Sequence, residues 1–359
     1  MKFRILSLLL LAVLATSCKV EFSPNAPWKD IPSVYCVIDI QEDTVWARVQ
    51  RCYLGNDNLY NYATIADSTN YQEGDIQVHL LAWRGVTNPL NHSITATDQL
   101  VDRWQLTYTE VPGRPEGNFS SGSQPMYYCV PGADRLLADS ACVFQLLVIR
   151  TDSGDTLASA RTTLVGILPL TIMGREYVEN VITVPNNVRG RHFGFIPVNI
   201  QNEIRWTTLP RGRRYQPSVR FYYRKNDDTL SIEVPGAPLT NQYNYNTLSS
   251  NSISQTSFLS YIKRSLADNT DSLFNVNYVD IIIYVCNEDL NAYITSQNSH
   301  VVGGQEYQPY TNVEGGIGIF GSRRTHIQVS VPCDSNGRPD YLPDQLKRLG
   351  VGFYGNFAQ

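Results

Sequence analysis

Ser33 to Ile40 reads S-V-Y-C-V-I-D-I, with Val34, Cys36, Ile38 and Ile40 on one face. A period of two fits a half-buried strand. A helix would need apolar residues every three or four places. Thr44 to Leu54 repeats the pattern with Val45, Ala47, Val49 and Tyr53 on one face. A hairpin closing at Gln41–Glu42 sets Ile38 opposite Val45 and Cys36 opposite Ala47. Cys52 then points to the other face, because a one-residue step exchanges the faces of a strand. That register disfavours a Cys36–Cys52 disulfide. Cys129 and Cys142 flank a polar loop between two strands and are better placed to meet. The other reading, for these four cysteines as for Cys286 and Cys333, is a free thiol acting as a small core residue.

Similar runs follow at Asp75–Trp83, Arg103–Glu110, Met126–Val130, Ala141–Arg150 and Thr156–Val165. Asp152-Ser153-Gly154-Asp155 supplies residues suited to a tight turn. About seven short strands with turn signals between them predict an immunoglobulin-like β-sandwich over residues 27–166. Gly166-Ile167-Leu168-Pro169 reads as a boundary, and residues 170–359 as a second β domain. Strands there are expected at Val181–Val184, His192–Ile200, Glu203–Thr207, Ser218–Arg224, Leu230–Val234 and Asn275–Cys286. In T-S-F-L-S-Y-I-K-R-S-L-A, Phe258, Leu259, Ile262 and Leu266 share one helical face, with Ser254 or Thr256 as the cap. A second short helix is expected over Glu288–Thr295. Two further strands, Gly316–Phe320 and His326–Val331, close the domain. The predicted class is therefore all-β, with one or two short helices in the second domain.

Glu314 to Ser322, E-G-G-I-G-I-F-G-S, contains G-x-G-x-x-G at Gly316, Gly318 and Gly321. A dinucleotide loop needs a helix opening at the third glycine. Here His326, Gln328 and Ser330 alternate with Ile327, Val329 and Val331, and Pro332 ends the run. The glycines are read instead as a strand with close backbone approach, a bulge or a sharp bend.

The chain opens M-K-F-R-I-L-S-L-L-L-L-A-V-L-A-T-S-C. Lys2 and Arg4 precede about ten apolar residues, too few for the roughly twenty of a spanning helix. Residues 1–17 read as a secretory signal. L-A-T-S-C resembles a bacterial lipobox, with Cys18 as the acylated first mature residue and 18–26 as a tether. Two or more acyl chains hold a protein stably on a membrane where one holds it marginally. The expected location is the outer membrane, lipid-anchored, on the cell surface or the periplasmic face.

Three stretches, Ala26–Gly55, Ile204–Arg224 and Tyr310–Ser322, together resemble a family of Bacteroidetes-type outer-membrane lipoproteins known as a domain of unknown function, number 4249. The resemblance implies two β domains and proximity to TonB-dependent uptake systems. It carries no catalytic residues over.

Chemical motifs are sparse. The five histidines, His79, His92, His192, His300 and His326, fall in no H-E-x-x-H. No G-x-S-x-G elbow occurs. Glu288–Asp289 reads as helix capping, and Asp334–Asp340 as a turn that lacks the distal acid of a calcium loop. No enzyme activity, catalytic residue, metal or cofactor is predicted. The formal net charge of −4 argues against a nucleic-acid partner. Arg205, Arg211, Arg213, Arg214, Arg220, Arg224 and Lys225 are the densest basic stretch, read as a solvated strand face and hairpin loop; the other reading is contact with anionic glycan or lipid phosphate. Loops rich in Tyr and Asn carry the candidate ligand-binding residues: Tyr60, Tyr62, Tyr243, Tyr245, Tyr307 and Tyr310. Tyr offers a flat apolar face with a polar tip, and Asn paired donors and acceptors, which together suit glycans or peptide backbones. Alternatively these rings pack back on the sandwich. The expected role is a non-catalytic binding or assembly subunit beside a TonB-dependent outer-membrane protein; the alternative is an independent adhesin or glycan-binding lipoprotein.

Overall fold

The computed structural model describes residues 29–53, 59–84, 95, 97–113, 122–138, 142–166, 171–172, 175–176, 182–183, 193, 202–240, 248–297, 309–333 and 342–356. The first-half strands are β1 (Pro32–Asp39), β2 (Val45–Arg51), β3 (Ile76–Arg84), β4 (Gln99–Val111), β5 (Gln124–Cys129), β6 (Val143–Arg150) and β7 (Thr156–Thr163). Two-residue strands follow, β8 (Thr171–Ile172), β9 (Arg175–Glu176) and β10 (Ile182–Thr183). Then come β11 (Asn202–Thr207), β12 (Arg214–Lys225), β13 (Asp228–Pro235), β14 (Leu239–Thr240), β15 (Leu248–Ile253) and β16 (Leu273–Cys286). The last strands are β17 (Val313–Glu314), β18 (Ile317–Pro332) and β19 (Phe353–Asn356). Short helices are α1 (Leu59–Ala63), α2 (Ala66–Thr69), α3 (Ala133–Ala138), α4 (Gln255–Ser265), α5 (Glu288–Gln297) and α6 (Leu342–Lys347). The fold is all-β with a few short helices.

The first hairpin has the register that its alternation dictates. Cys36 pairs with Ala47 and Val34 with Val49. Val34, Cys36, Ile38, Ile40, Val45, Ala47 and Val49 are all buried. The strands run side by side in the order β1-β2-β5-β4-β3-β6-β7. β4 turns a corner within this set: Gln99 to Leu106 pair with β3, whereas Thr107 to Val111 pair with β5. The two faces so formed enclose one core that includes Val78, Leu80, Tyr127, Phe144 and Leu146.

The second corner is delivered from far along the chain. β17 pairs with β7, Val313 opposite Ala160. β18 pairs in parallel with β1, from Ser33↔Ile317 to Asp39↔Arg323. Because β17 runs into β18 through Gly315 and Gly316, the strands come full circle, and Phe320 enters the core of the first half. The glycine-rich stretch is thus a strand, and its glycines are required by contact. A Cβ on Gly318 (φ +114°) would lie 1.9 Å from the Val34 carbonyl oxygen, and one on Gly315 (φ +78°) 2.4 Å from that of Leu157.

β18 continues without a turn. The sequence reading gave two strands here; the structure has one of 16 residues. Gly321 and Ser322, between the two expected strands, stay extended: Gly321 lies under Leu290 of α5 and the Ser322 N–H donates to Asn287 Oδ1 at 3.2 Å. From Arg323 to Pro332 the strand pairs antiparallel with β16, which joins the order β13-β12-β16-β18. A three-stranded sheet, β10-β11-β15, stands apart from this path. The second core gathers Trp206, Tyr215, Phe221, Ile281, Ile283 and Phe353 together with α4. α4 forms as its pattern requires: Ser254 Oγ accepts the Ser257 N–H, and Phe258 and Ile262 are buried.

Cys36, Cys52, Cys129, Cys142, Cys286 and Cys333 form no disulfide with one another. Cys129 and Cys142 are both buried in the first core and are not bridged to one another. Among the described residues no helix is long and apolar enough to cross a membrane.

Candidate ligand-binding cleft

The outward face of β1 and β2 holds residues that strand alternation assigns to solvent. Tyr35, Val37 and Asp39 of β1, with Trp46 of β2, form the floor of a cleft of about 660 Å³. One wall is α5, through Leu290, Tyr293 and Ile294. Arg214 and Gln216 of β12 and Tyr284 of β16 also line the cleft. Glu42 and Thr44, in and just after the first hairpin turn, close the end. The volume lies within the about 300–1,000 Å³ usual for ligand sites.

The aromatic rings are presented to solvent. Tyr35 is 51% exposed, Trp46 42% and Tyr284 36%. They are also held in place. Tyr35 meets Tyr293 edge to face at 6.5 Å, and Trp46 lies 5.1 Å from Tyr128 of β5. The Tyr284 hydroxyl donates to Glu233 at 2.7 Å, and burial with that carboxylate raises its pKa. Asp39, largely buried, accepts from Arg323 Nε at 3.1 Å, so this charge pair is neutralised within the wall. Among the described residues the side chains of Arg214, Gln216 and Glu42 and the Trp46 indole N–H make no hydrogen bond or ion pair, although the Arg214 charge acts on the Cys286 thiol. Cys286 lines the base. Burial pushes its thiol up to about 12, so it is not a nucleophile at neutral pH.

Beneath the cleft a buried polar cluster fixes α5 to both halves. Asn287 Nδ2 donates to Thr162 Oγ1 at 2.7 Å and to the Thr163 carbonyl at 2.9 Å. Its Oδ1 accepts the backbone N–H groups of Leu290 and Ser322. Asp289 accepts from the hydroxyls of Thr162 at 2.8 Å and Tyr310 at 3.1 Å. Ser322 Oγ donates to the Thr163 carbonyl and accepts the Val165 N–H, each at 2.9 Å. The first-turn acids of α5 are therefore structural: Asp289 ties strands together, and Glu288 pairs with Arg213 at 2.7 Å.

Of the sequence-predicted tyrosines, the described Tyr62 and Tyr310 stand in different settings. Tyr62 lies on α1, not in an open loop, and packs 6.3 Å from Tyr53. Tyr60 is on the same helix. Tyr310 belongs to the buried cluster, where burial and Asp289 raise its pKa. Tyr243, Tyr245, Tyr307 and Cys18 lie outside the described residues. The residues that sequence reasoning passed over are Tyr35, Trp46, Tyr284 and Tyr293. The signal for the first two was present: large aromatics at outward positions of strands whose other face is core. Four of the seven residues of the basic stretch are in ion pairs, Arg213 with Glu288, Arg220 with Glu233, Arg224 with Asp227 and Lys225 with Asp271, whereas Arg214 lines the cleft. His79 and His326 lie on strands, both buried. Among the described residues no three His, Cys, Asp or Glu side chains converge as a metal site. Compared with protein-family models and with curated proteins, the chain matches none.

Proposed function

We propose that the protein is a non-catalytic binding subunit, lipid-anchored through Cys18 at the outer membrane, that presents the cleft between β1, β12 and α5 to a ligand. The observation that carries this reading is a set of exposed aromatic rings fixed on paired strands and one helix, beside polar side chains left without partners. Such pre-organisation favours binding, since little ordering remains to be done. The lipobox and the resemblance to the outer-membrane lipoprotein family support the anchor, the two-domain organisation and a role accessory to a TonB-dependent uptake protein. The cleft also suits an independent adhesin, and the partner decides between the two.

The test is affinity purification of the tagged protein from envelopes solubilised in mild detergent, for wild type and Cys18→Ser. Wild type is expected to incorporate labelled palmitate and to co-purify with a larger outer-membrane protein. Cys18→Ser is expected to lose both the label and the partner. Recovery of the wild-type protein alone defeats the accessory role, and an unlabelled wild type defeats the anchor.

A further inference from the structure

We infer that the cleft binds an uncharged oligosaccharide, with Trp46 and Tyr35 stacking on sugar rings and Arg214, Gln216 and Glu42 taking their hydroxyls. This rests on the reading of the cleft as a binding site, and not on the anchor or the partner.

Three observations select this ligand class. First, every strand under the cleft is paired on both sides. β1 lies between β18 and β2, β2 between β1 and β5, β12 between β13 and β16, and β16 between β12 and β18. Among the described residues these strands all lie inside the sheet order, so an extended peptide finds no outer strand edge there to add to. Recognition falls to side chains. Second, those side chains combine flat faces with planar polar groups. An indole or phenol face packs against the C–H face of a sugar ring and leaves its hydroxyls free in the plane. Guanidinium, amide and carboxylate groups then meet adjacent hydroxyls, the first two as donors and the last as acceptor. Third, the lining carries no excess of either sign. Asp39 and Arg323 neutralise one another at 3.1 Å, and Arg214 is balanced by Glu42 at the end of the same cleft. A strongly anionic or cationic ligand would leave one of these two unanswered.

The experiment is a calorimetric titration of the purified full-length chain in detergent micelles. The probes are neutral hexasaccharides of gluco, galacto, manno and xylo configuration, a polygalacturonate oligomer, and a pool of extended decapeptides. At least one neutral hexasaccharide is expected to bind, with an affinity that stays within about twofold from about 50 to about 500 mM salt, since no net charge is screened. Trp46→Ala and Tyr35→Ala are each expected to weaken it by about tenfold or more, as the loss of a stacked ring does. Both rings are about half exposed and belong to neither large core, so neither truncation opens one. Tyr354→Ala, which removes a 68% exposed ring on β19, is expected to leave the affinity unchanged. Arg214→Gln should weaken binding without making it salt-dependent. Binding of none of the neutral sugars, or of the uronate oligomer or peptides in preference to them, overturns the assignment. So does a neutral sugar held equally well by Trp46→Ala and Tyr35→Ala. Because no envelope partner is present, these outcomes are independent of whether the chain co-purifies with a membrane protein.

Discussion

His79 shows how much one side chain can reveal about a strand. It sits on β3, 4% exposed, with Nε2 3.4 Å from both Gln77 Oε1 and Arg103 Nη2. Nδ1 has no hydrogen-bond partner among the described residues. Burial first, and then the Arg103 charge, lower its pKa below the usual histidine value. The folded state therefore binds a proton less readily than the unfolded chain. The stability that depends on neutral His79 is complete above the unfolded value, about 6.5, and is lost as the pH falls through the lower folded value. Urea midpoints of wild type and His79→Gln, measured from pH 7.5 down to about 5, are expected to converge on acidification, with wild type losing more. Parallel pH profiles would show that His79 does not couple protonation to folding. That His79 sits in a strand was legible from the alternation around it; its burial and the nearby Arg103, placed by pairing of β3 with β4, were not.

At the scale of elements, local pattern was a faithful guide wherever one face alone is buried. β1, β2 and α4 follow from the spacing of their apolar residues and from Ser254 as a cap. It failed where the constraint is long-range. The 53–62 stretch, rich in Tyr and Asn, reads as loop by composition but includes α1 from Leu59. β18 was split in two because Gly321 to Thr325 lacks apolar alternation, whereas pairing to β1 and then to β16 holds it straight. The glycines of that strand give a sharp prediction. Gly318→Ala adds a Cβ into the Val34 carbonyl at a positive φ, and should cost about 3 kcal/mol or more. Gly154→Ala, at φ +74° in a turn with open space around it, should cost only about 1 kcal/mol. Denaturant midpoints of the two variants measure the difference. Equal losses would mean that β1 and β18 do not approach as closely as described. The cleft was only half legible for the same reason: Tyr35 and Trp46 are near neighbours across a hairpin, but Tyr284 and Tyr293 reach them only through β18 and α5.

For the whole molecule the decisive contact is between the two ends of the chain. The ring of strands around the first core is not complete until Val313–Glu314 covers β7 and Ile317–Arg323 covers β1. A chain stopped after residue 312 keeps β1 to β7 but loses both these partners and Phe320. It is expected to show no cooperative unfolding transition, whereas the full chain unfolds in one step seen alike by fluorescence and circular dichroism. A truncated chain with a sharp transition of its own would overturn this view of β18. Composition and periodicity gave the all-β class, but no local feature of residues 310–332 announces that they complete a core begun at residue 32. Asp39 and Arg323, bonded across 284 positions, illustrate why: such a pairing is visible only once the topology is known.

That topology also governs the order of events as a chain is made. Synthesis delivers Ser33 long before Ile317, and closing so large a loop is slow. Through nearly all of translation the outer edge of β1 remains an open template for any stray strand. A nascent molecule of this design is expected to keep that edge uncovered until residues 313–323 arrive to pair with β7 and β1.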